Sequence, residues 1–168
     1  MLTGKILKLG NNINTDDIIA GKYLRTDNTK LWKDHIFETL NPELSTMILG
    51  MKFIVAGENF GCGSSREQAV IAIKSCDIVA IIAQSFGRIF YRNCINNGVL
   101  AVTYSNMHDM HEVEIKTGEE ISLDIDKSFF TTASNKKIFI TPLPSFATKI
   151  YQSGGLLNYY KNYEMNNM

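Results

Sequence analysis

Residues 53–83, FIVAGENFGCGSSREQAVIAIKSCDIVAIIA, decide how this chain is expected to fold. The stretch opens with a short apolar run at 53–56 and closes with a second one at 78–83, and each run predicts a buried strand. Between them a glycine-rich loop leads into residues 66–75, whose apolar spacing predicts a helix. The stretch is therefore a β-α-β unit, which is typical of a parallel sheet with right-handed crossovers.

Further elements are predicted on both sides of this unit. Upstream, residues 4–9 predict a strand, Asn14–Asp17 the cap of a short helix, and 28–40 a helix. Downstream, the predicted elements are a helix at 85–95, strands at 99–103, 112–116, 121–125 and 137–140, and a terminal helix at 145–157 that Gly154-Gly155 interrupts. The polar tail from Asn158 is predicted to fray or to dock on a partner. The predicted fold class is α/β, a single domain over residues 1–168 with a parallel core and additional antiparallel strands.

The composition narrows the kinds of partner. Lys and Arg number 17 and Asp and Glu also number 17, so the formal net charge is zero. A partner such as nucleic acid or a membrane surface usually requires a basic excess, so neither is expected. No apolar run approaches the roughly 18 residues that a membrane span needs, and the N-terminal stretch lacks the apolar segment of a signal peptide.

The cysteines indicate a reducing compartment. Cys62, Cys76 and Cys94 are odd in number and widely spaced. This pattern fits neither a disulfide framework nor a zinc site, and it is too sparse for a complete set of iron–sulfur ligands. We therefore expect a cytoplasmic protein that binds no metal through its own residues.

The glycine-rich loop has the features of an anion site. Ser64 and Glu67 match a capping box, so the loop is predicted to lead directly onto a helix N-terminus, which favours anions. Arg66 adds a guanidinium that can hold a carboxylate with two hydrogen bonds. The glycines of the loop, Gly57, Gly61 and Gly63, allow a ligand to approach the backbone closely. Small carboxylic acids are the ligand class that this chemistry favours.

The sequence of the loop has other interpretations. It could be a plain strand-to-helix turn. The loop lacks the Gly-Lys-Ser/Thr of a P-loop, the spacing of a dinucleotide fingerprint and the Gly-x-Ser-x-Gly of an α/β-hydrolase. Cys62 could act as a nucleophile, but it would need a base, and no histidine (His35, His108 or His111) is placed beside it by the sequence.

Three stretches in this order resemble one enzyme family. They are Asn11 to Ile19 followed by Tyr23-Leu24-Arg25-Thr26, GENFGCGSSRE at 57–67, and SFGRIFYRN at 85–93 followed by Asn-Gly-Val-Leu at 97–100. The chain is similar to the small subunits of the 3-isopropylmalate dehydratase and homoaconitase family, which correspond to the mobile C-terminal domain of aconitase. The likeness covers most of the chain, and the Gly-x-Gly-Ser-Ser-Arg-Glu element is its most specific part.

The resemblance implies a fold, a reaction and a partner. The fold would be a swivelling β/β/α domain, and the chain would be the small subunit of a hydro-lyase. The reaction would move a hydroxyl between adjacent carbons of 2-isopropylmalate by dehydration and rehydration, in leucine biosynthesis. A separate large subunit would carry the [4Fe–4S] cluster, so the isolated chain is expected to fold but to be inactive.

The resemblance also implies roles for individual residues. Ser64 would be the catalytic base, and Arg66 would bind a substrate carboxylate. Ser65 would add a hydrogen bond, and Asp16 would orient groups on the active-site face. Gly61 and Gly63 would shape the loop.

Two arginines leave alternatives open. Arg25 lies in the loop that would face the variable substituent of the substrate, and a cation there favours a carboxylate-bearing chain. A homoaconitase or a broad-specificity subunit acting on tricarboxylates is therefore an alternative, although Arg25 could equally be a solvated loop residue. Arg88 would be structural or at the subunit interface. Two functions outside this reaction class also stay open. They are a non-catalytic carboxylate-binding module and a self-contained hydrolase.

Overall fold

The computed structural model describes residues 1–104 and 115–166 of the chain. In this part the strands form a seven-stranded sheet in the order β4-β3-β2-β1-β5-β6-β7. The strands are β1 (Leu2–Lys8), β2 (Phe53–Val55), β3 (Ala80–Ala83), β4 (Leu100–Thr103), β5 (Glu120–Asp124), β6 (Phe129–Thr131) and β7 (Lys137–Phe139). Strands β1 to β4 pair in parallel, and β5 to β7 continue the sheet in antiparallel fashion. The predicted fold class, a parallel core with antiparallel additions, is confirmed.

The predicted and observed strands differ in two places. Strand β6 was not predicted, and a strand was predicted at 112–116. Residues 112–114 of that strand lie outside the described residues, while Ile115 and Lys116 are not in a strand. Strand β5 pairs with β1 on one side and with β6 on the other.

The helices surround this sheet. They are α1 (Thr15–Ile18), α2 (Thr29–Asp34), α3 (Leu44–Met47), α4 (Glu67–Ser75), α5 (Arg88–Asn97), α6 (Ser145–Gln152) and α7 (Leu156–Asn166), with a 3-10 helix at Gly21–Arg25. Helix α2 is shorter than the predicted 28–40, because the chain turns after Asp34 and Phe37 adopts a positive φ of 59°. The interruption at Gly154 and Gly155 is confirmed, since both have positive φ between α6 and α7. Fraying from Asn158 is wrong, because α7 runs through Asn166, and docking of this tail on a partner stays a prediction.

Both faces of the central parallel strands β2 and β3 are buried, which explains their unbroken apolar sequences. Successive side chains of a strand point to opposite faces. Leu7, Ile54 and Ile81 pack into the core shared with helices α2, α4 and α5. Their neighbours Ile6 and Val55 pack into a second core that includes residues of β5, β6 and β7.

The parallel pairing brings three loops to one edge of the sheet. Strands β1, β2 and β3 run in the same direction, so the loops that follow them leave from the same edge. These loops are residues 9–14, 56–66 and 84–87. They carry the three motifs of the sequence analysis, and ligands of open α/β sheets bind at such an edge.

Candidate active site

A cleft of about 340 Å³ lies where these loops meet. Three parts of the chain form it: the start of α1, the glycine-rich loop, and the start of α5. Its lining residues are Thr15, Asn59, Gly61, Cys62, Gly63, Ser64, Ser65, Arg66, Gly87, Arg88, Ile89 and Phe90. Five of the seven predicted site residues are thus brought together in one wall of the cleft.

Close packing at Gly61 fixes the base of the glycine-rich loop. Gly61 has a φ of +73°, and a Cβ placed on it would lie 2.1 Å from Cγ of Phe90. A Cβ on Gly87 would lie 2.4 Å from the carbonyl oxygen of Gly61. Phe60, beside it, is fully buried, and its ring packs on Phe90 with 5.4 Å between centroids. The loop and the start of α5 therefore form one closely packed unit.

A ligand was predicted to approach the backbone closely at Gly57 and Gly61. In the structure, side chains of this protein occupy those positions. A Cβ on Gly57 would lie 1.7 Å from Oδ1 of Asn11, an oxygen that accepts from the backbone N–H of Glu58 at 3.0 Å. Gly61 makes room for Phe90 in the same way. Gly63, with a φ of +87°, is exposed and has only ordinary van der Waals neighbours, so its contribution is the left-handed turn.

Thr15 connects the first loop to the glycine-rich loop. Its backbone N–H donates to the carbonyl of Cys62 at 3.0 Å, and its hydroxyl donates to the carbonyl of Ser64 at 2.8 Å. Thr15 is buried, so these bonds are shielded from water. The sequence analysis assigned Thr15 no role, although it lies between two residues that were singled out, Asn14 and Asp16. Its position inside that motif was the available signal.

The predicted capping box at Ser64 and Glu67 is wrong. Helix α4 begins at Glu67 with Arg66 as its N-cap, and no side-chain hydrogen bond caps it. Thr15 binds the Ser64 carbonyl, and the Glu67 carboxylate accepts from Asn97 Nδ2 at 2.9 Å. The Ser64 carbonyl therefore binds Thr15 and the Glu67 carboxylate binds Asn97, and neither residue caps the helix through its side chain. Ser64 and Ser65 are exposed in the cleft at the helix N-terminus.

A capping box forms instead at α1. The Asn14 side chain accepts from the backbone N–H of Asp17 at 2.9 Å, and the Asp17 carboxylate accepts from the backbone N–H of Asn14 at 2.9 Å. The prediction that Asn14–Asp17 caps a short helix is confirmed. Asp16, which lies between Asn14 and Asp17 in sequence, takes no part in the box, and its side chain has another partner.

Asp16 forms an ion pair with Arg66, fifty positions along the chain. The Arg66 side chain is 22 % exposed and that of Asp16 is 53 % exposed, so the pair borders solvent at the cleft. A Cβ on Gly21 would lie 3.7 Å from Nη1 of Arg66, which places the first residue of the 3-10 helix against the guanidinium. The arginine is thus held by a carboxylate on one side and faces the cleft on the other.

The other two arginines that the sequence analysis named lie at different places. Arg25 is exposed at the last position of the 3-10 helix and is not a lining residue of the cleft. Arg88 is the first residue of α5, is exposed and lines the cleft together with Ile89. The predicted role of Arg88 was structural or at the subunit interface, and not in the substrate site.

The cysteines divide into one at the cleft and two in the core. Cys62 is half-buried and lines the cleft, while Cys76 and Cys94 are buried. Burial raises the pKa of Cys76 to about 11 and also raises the pKa of Cys94, which keeps both thiols neutral. No histidine lines this cleft within the described ranges, and His108 and His111 lie outside them.

Metal ligands and membrane-spanning helices concern residues 1–104 and 115–166, the part of the chain that the structure describes. In these ranges no group of three or more His, Cys, Asp or Glu side chains is placed to hold a metal ion. Within the same ranges no helix combines the length and apolar character that crossing a bilayer requires.

Comparison with known proteins gives the family. The model of the aconitase C-terminal domain matches residues 5–107, which include all three loops of the cleft. The chain therefore belongs to the aconitase C-terminal domain family.

Relatives in this family have two names. The 3-isopropylmalate dehydratase small subunit of Aliarcobacter butzleri is 43 % identical over 162 residues, covering 95 % of this chain and 94 % of that protein. The methanogen homoaconitase small subunit of Methanocaldococcus jannaschii is 42 % identical over 162 residues, covering 96 % of this chain and 92 % of that protein. A crystal structure of 3-isopropylmalate dehydratase from Methanocaldococcus jannaschii superimposes with a TM-score of 0.89 at 41 % identity, covering 98 % of this chain and 96 % of that chain.

Proposed function

We propose that the chain is the small subunit of a hydro-lyase that isomerises 2-isopropylmalate to 3-isopropylmalate by dehydration and rehydration. The names of its relatives support this reaction. The observation that carries the proposal is the uncapped N-terminus of α4, where Ser64, Ser65 and Arg66 face an open cleft. Such a site suits a small dicarboxylic acid, because helix N–H groups and a guanidinium both bind carboxylates.

In this proposal Ser64 is the catalytic base. Its Oγ takes the proton from the carbon beside a carboxylate, a carbon–carbon double bond forms, and the hydroxyl leaves the adjacent carbon. Rehydration in the opposite sense places the proton on the carbon that lost the hydroxyl, and the hydroxyl on the carbon that lost the proton. A serine can act in this way only if its alkoxide is stabilised, and the N-terminus of α4 and the Arg66 guanidinium supply that stabilisation.

Arg66, Ser65 and Asp16 bind and orient the substrate in the same scheme. Arg66 holds a substrate carboxylate through its guanidinium, and Ser65 donates a hydrogen bond at the helix N-terminus. Asp16 fixes the direction of the guanidinium through their ion pair. Thr15 supports these residues. Its hydroxyl donates to the Ser64 carbonyl and so fixes the backbone from which the Ser64 side chain extends.

The chain would act with a large subunit in the cytoplasm. The large subunit would carry a [4Fe–4S] cluster, which when bound would supply a Lewis acid for the departing hydroxyl. This chain, a single domain, would supply the base and the carboxylate-binding groups. Its isolated form would be folded and inactive, with the cleft open to solvent.

Homoaconitase is the second candidate. Relatives named methanogen homoaconitase small subunit match this chain as closely as the dehydratase subunits do. The 3-10 helix that ends at Arg25 begins against the Arg66–Asp16 pair. An arginine on this element would favour a substrate whose variable substituent carries a carboxylate.

A turnover assay tests the proposal and separates the two substrates. The chain is combined anaerobically with its large subunit after cluster reconstitution, and the absorbance of the unsaturated intermediate is followed from isopropylmalate and from homocitrate. We expect turnover of isopropylmalate by the complex and none by either subunit alone. Preferred turnover of the tricarboxylate would move the assignment to homoaconitase, and turnover by this chain alone would overturn the proposal.

A further inference from the structure

The 3-10 helix Gly21–Arg25 is held at its start by two groups of charged side chains. On one side, a Cβ on Gly21 would lie 3.7 Å from Nη1 of Arg66 and 3.8 Å from Oδ1 of Asp16. On the other side, the next two residues of the helix contact one carboxylate, that of Glu38. The element beside the proposed carboxylate site is therefore fixed at the same point from both directions.

Glu38 accepts hydrogen bonds from three side chains. Nζ of Lys22 lies 2.8 Å from its Oε1, and the hydroxyl of Tyr23 donates to the same oxygen at 2.7 Å. Nδ1 of His35 lies 2.6 Å from its Oε2. Two of these three groups belong to the 3-10 helix, so Glu38 joins this helix to the turn that follows α2.

Tyr23 is held by three further contacts. Its ring stacks on the ring of His35, with 4.2 Å between centroids and 12° between planes. Its carbonyl accepts from Nε1 of the buried Trp32 at 2.9 Å, and Nζ of Lys22 lies 4.7 Å from the centre of its ring. A 3-10 helix this short has little stability from its own backbone hydrogen bonds. Its geometry is therefore set by these side chains.

The Lys22–Glu38 ion pair of this cluster adds little to folding stability. The Lys22 side chain is 65 % exposed, and ion pairs at that exposure contribute little to folding. The cluster fixes the position of the 3-10 helix, which runs from the Arg66–Asp16 pair to Arg25. A positioned binding element loses less conformational entropy when a ligand arrives.

We infer that Glu38 is a positioning residue of the substrate site, which acts through Lys22 and Tyr23 to hold the 3-10 helix against Arg66 and Asp16. The inference rests on the proposed function, because it takes Arg66 and the 3-10 helix to border the bound substrate. Glu38 itself does not line the cleft. Its loss should therefore weaken substrate binding more than it slows the chemical step.

Steady-state kinetics of the complex with its large subunit test this inference. For Glu38→Ala we expect KM to rise on the order of tenfold with a smaller change in kcat, because substrate binding would then have to order the loosened 3-10 helix. Glu38→Gln, which keeps an acceptor for Tyr23, should recover part of the loss. Tyr23→Phe removes one of the three donors and should raise KM by less. Glu43→Ala, the matched control at an exposed glutamate outside the cluster, should leave KM unchanged.

Amide hydrogen exchange of the full chain tests positioning without any turnover. Exchange at residues 21–25 should quicken in Glu38→Ala and stay as in the unaltered chain in Glu43→Ala. An unaltered complex that converts neither substrate would refute the proposed function, and the exchange measurement would still decide the role of Glu38. The inference is overturned if Glu38→Ala keeps normal exchange at 21–25, or if it lowers the melting temperature and leaves KM unchanged.

Discussion

The N-termini of α1 and α4 lie on neighbouring loops and are treated in opposite ways. At α1, Asn14 and Asp17 form a reciprocal capping box, so the helix end is satisfied by its own residues. At α4 no side-chain hydrogen bond caps the helix, and Ser64 and Ser65 stand exposed beside it. Capping residues usually occupy such an end, because its N–H groups would otherwise lack partners.

The difference separates support from binding. The closed end of α1 fixes Thr15, and Thr15 in turn holds the Ser64 carbonyl at the open end. The open end of α4 keeps its donors and its partial positive charge available for an anion. Loss of the capping side chains at α1 should therefore lower stability, and loss of the exposed side chains at the start of α4 should lower activity.

Arg66→Ala should give the largest effect. Removing the guanidinium that is proposed to bind a substrate carboxylate should lower kcat/KM of the complex by about a hundredfold to a thousandfold. Arg66→Lys keeps the charge without the planar fork, so its loss should be intermediate. The comparison would be broken if Arg66→Ala lowered the melting temperature strongly while the remaining folded protein kept normal kcat/KM.

Gly61→Ala and Gly63→Ala form a matched pair on the open side. Both glycines have positive φ, but an added Cβ meets Phe90 at 2.1 Å only at Gly61. We expect Gly61→Ala to lower the free energy of unfolding by roughly 2–5 kcal/mol, from the left-handed backbone and the overpacking together. Gly63→Ala should lower it by about 1 kcal/mol, from the backbone alone. Urea unfolding of the two variants measures both values, and equal losses would contradict the packing argument.

Asn14→Ala tests the closed helix end directly. Loss of the capping box should lower the free energy of unfolding by about 1 kcal/mol. Ser64→Ala should change it by less than about 0.5 kcal/mol, because Ser64 caps no helix. Chemical denaturation gives both numbers. A stability loss at Ser64 as large as that at Asn14 would mean that the two helix ends do not differ as described.

The smallest effect concerns Glu38, a carboxylate bound by side chains and not at a helix end. The hydrogen bond from Lys22, with others from Tyr23 and His35, lowers the pKa of Glu38 from 4.5 to about 2. Because the pKa is lower in the folded state, the carboxylate stabilises the fold above about pH 4.5, and this contribution is lost as the pH falls toward 2. Glu38→Gln should therefore show a weaker decline in unfolding free energy over this window. Parallel pH profiles for the two proteins would contradict the lowered pKa.

The β2-α4-β3 unit followed from the sequence because its two strands are buried on both faces. The runs at 53–56 and 78–83 are apolar without alternation, and the glycine-rich loop and α4 between them leave one topology. Strand β6 was missed because three residues, Phe129 to Thr131, carry too little periodicity to be seen. Its existence depends on its pairing with β5 and β7.

The site was predictable as a set of motifs and less so as a set of contacts. The Ser64-x-x-Glu67 pattern matches a capping box, yet Asn97 and Thr15 bind its two members from distant parts of the chain. The Arg66–Asp16 pair likewise joins two loops that only the parallel sheet brings together. Local patterns cannot report partners that the tertiary structure supplies.

The turnover of Ser64→Ala in complex with the large subunit is the most direct test of a base on this chain. Removing a proton-transfer group should lower the rate of dehydration by about a hundredfold to ten-thousandfold. Ser134→Ala, at a distant turn beyond β6, serves as the control and should keep the normal rate. Size-exclusion chromatography must show that both variants assemble with the large subunit. A normally assembled Ser64→Ala complex that dehydrates its substrate at the unaltered rate would show that the exposed serine at the open helix end is not the base.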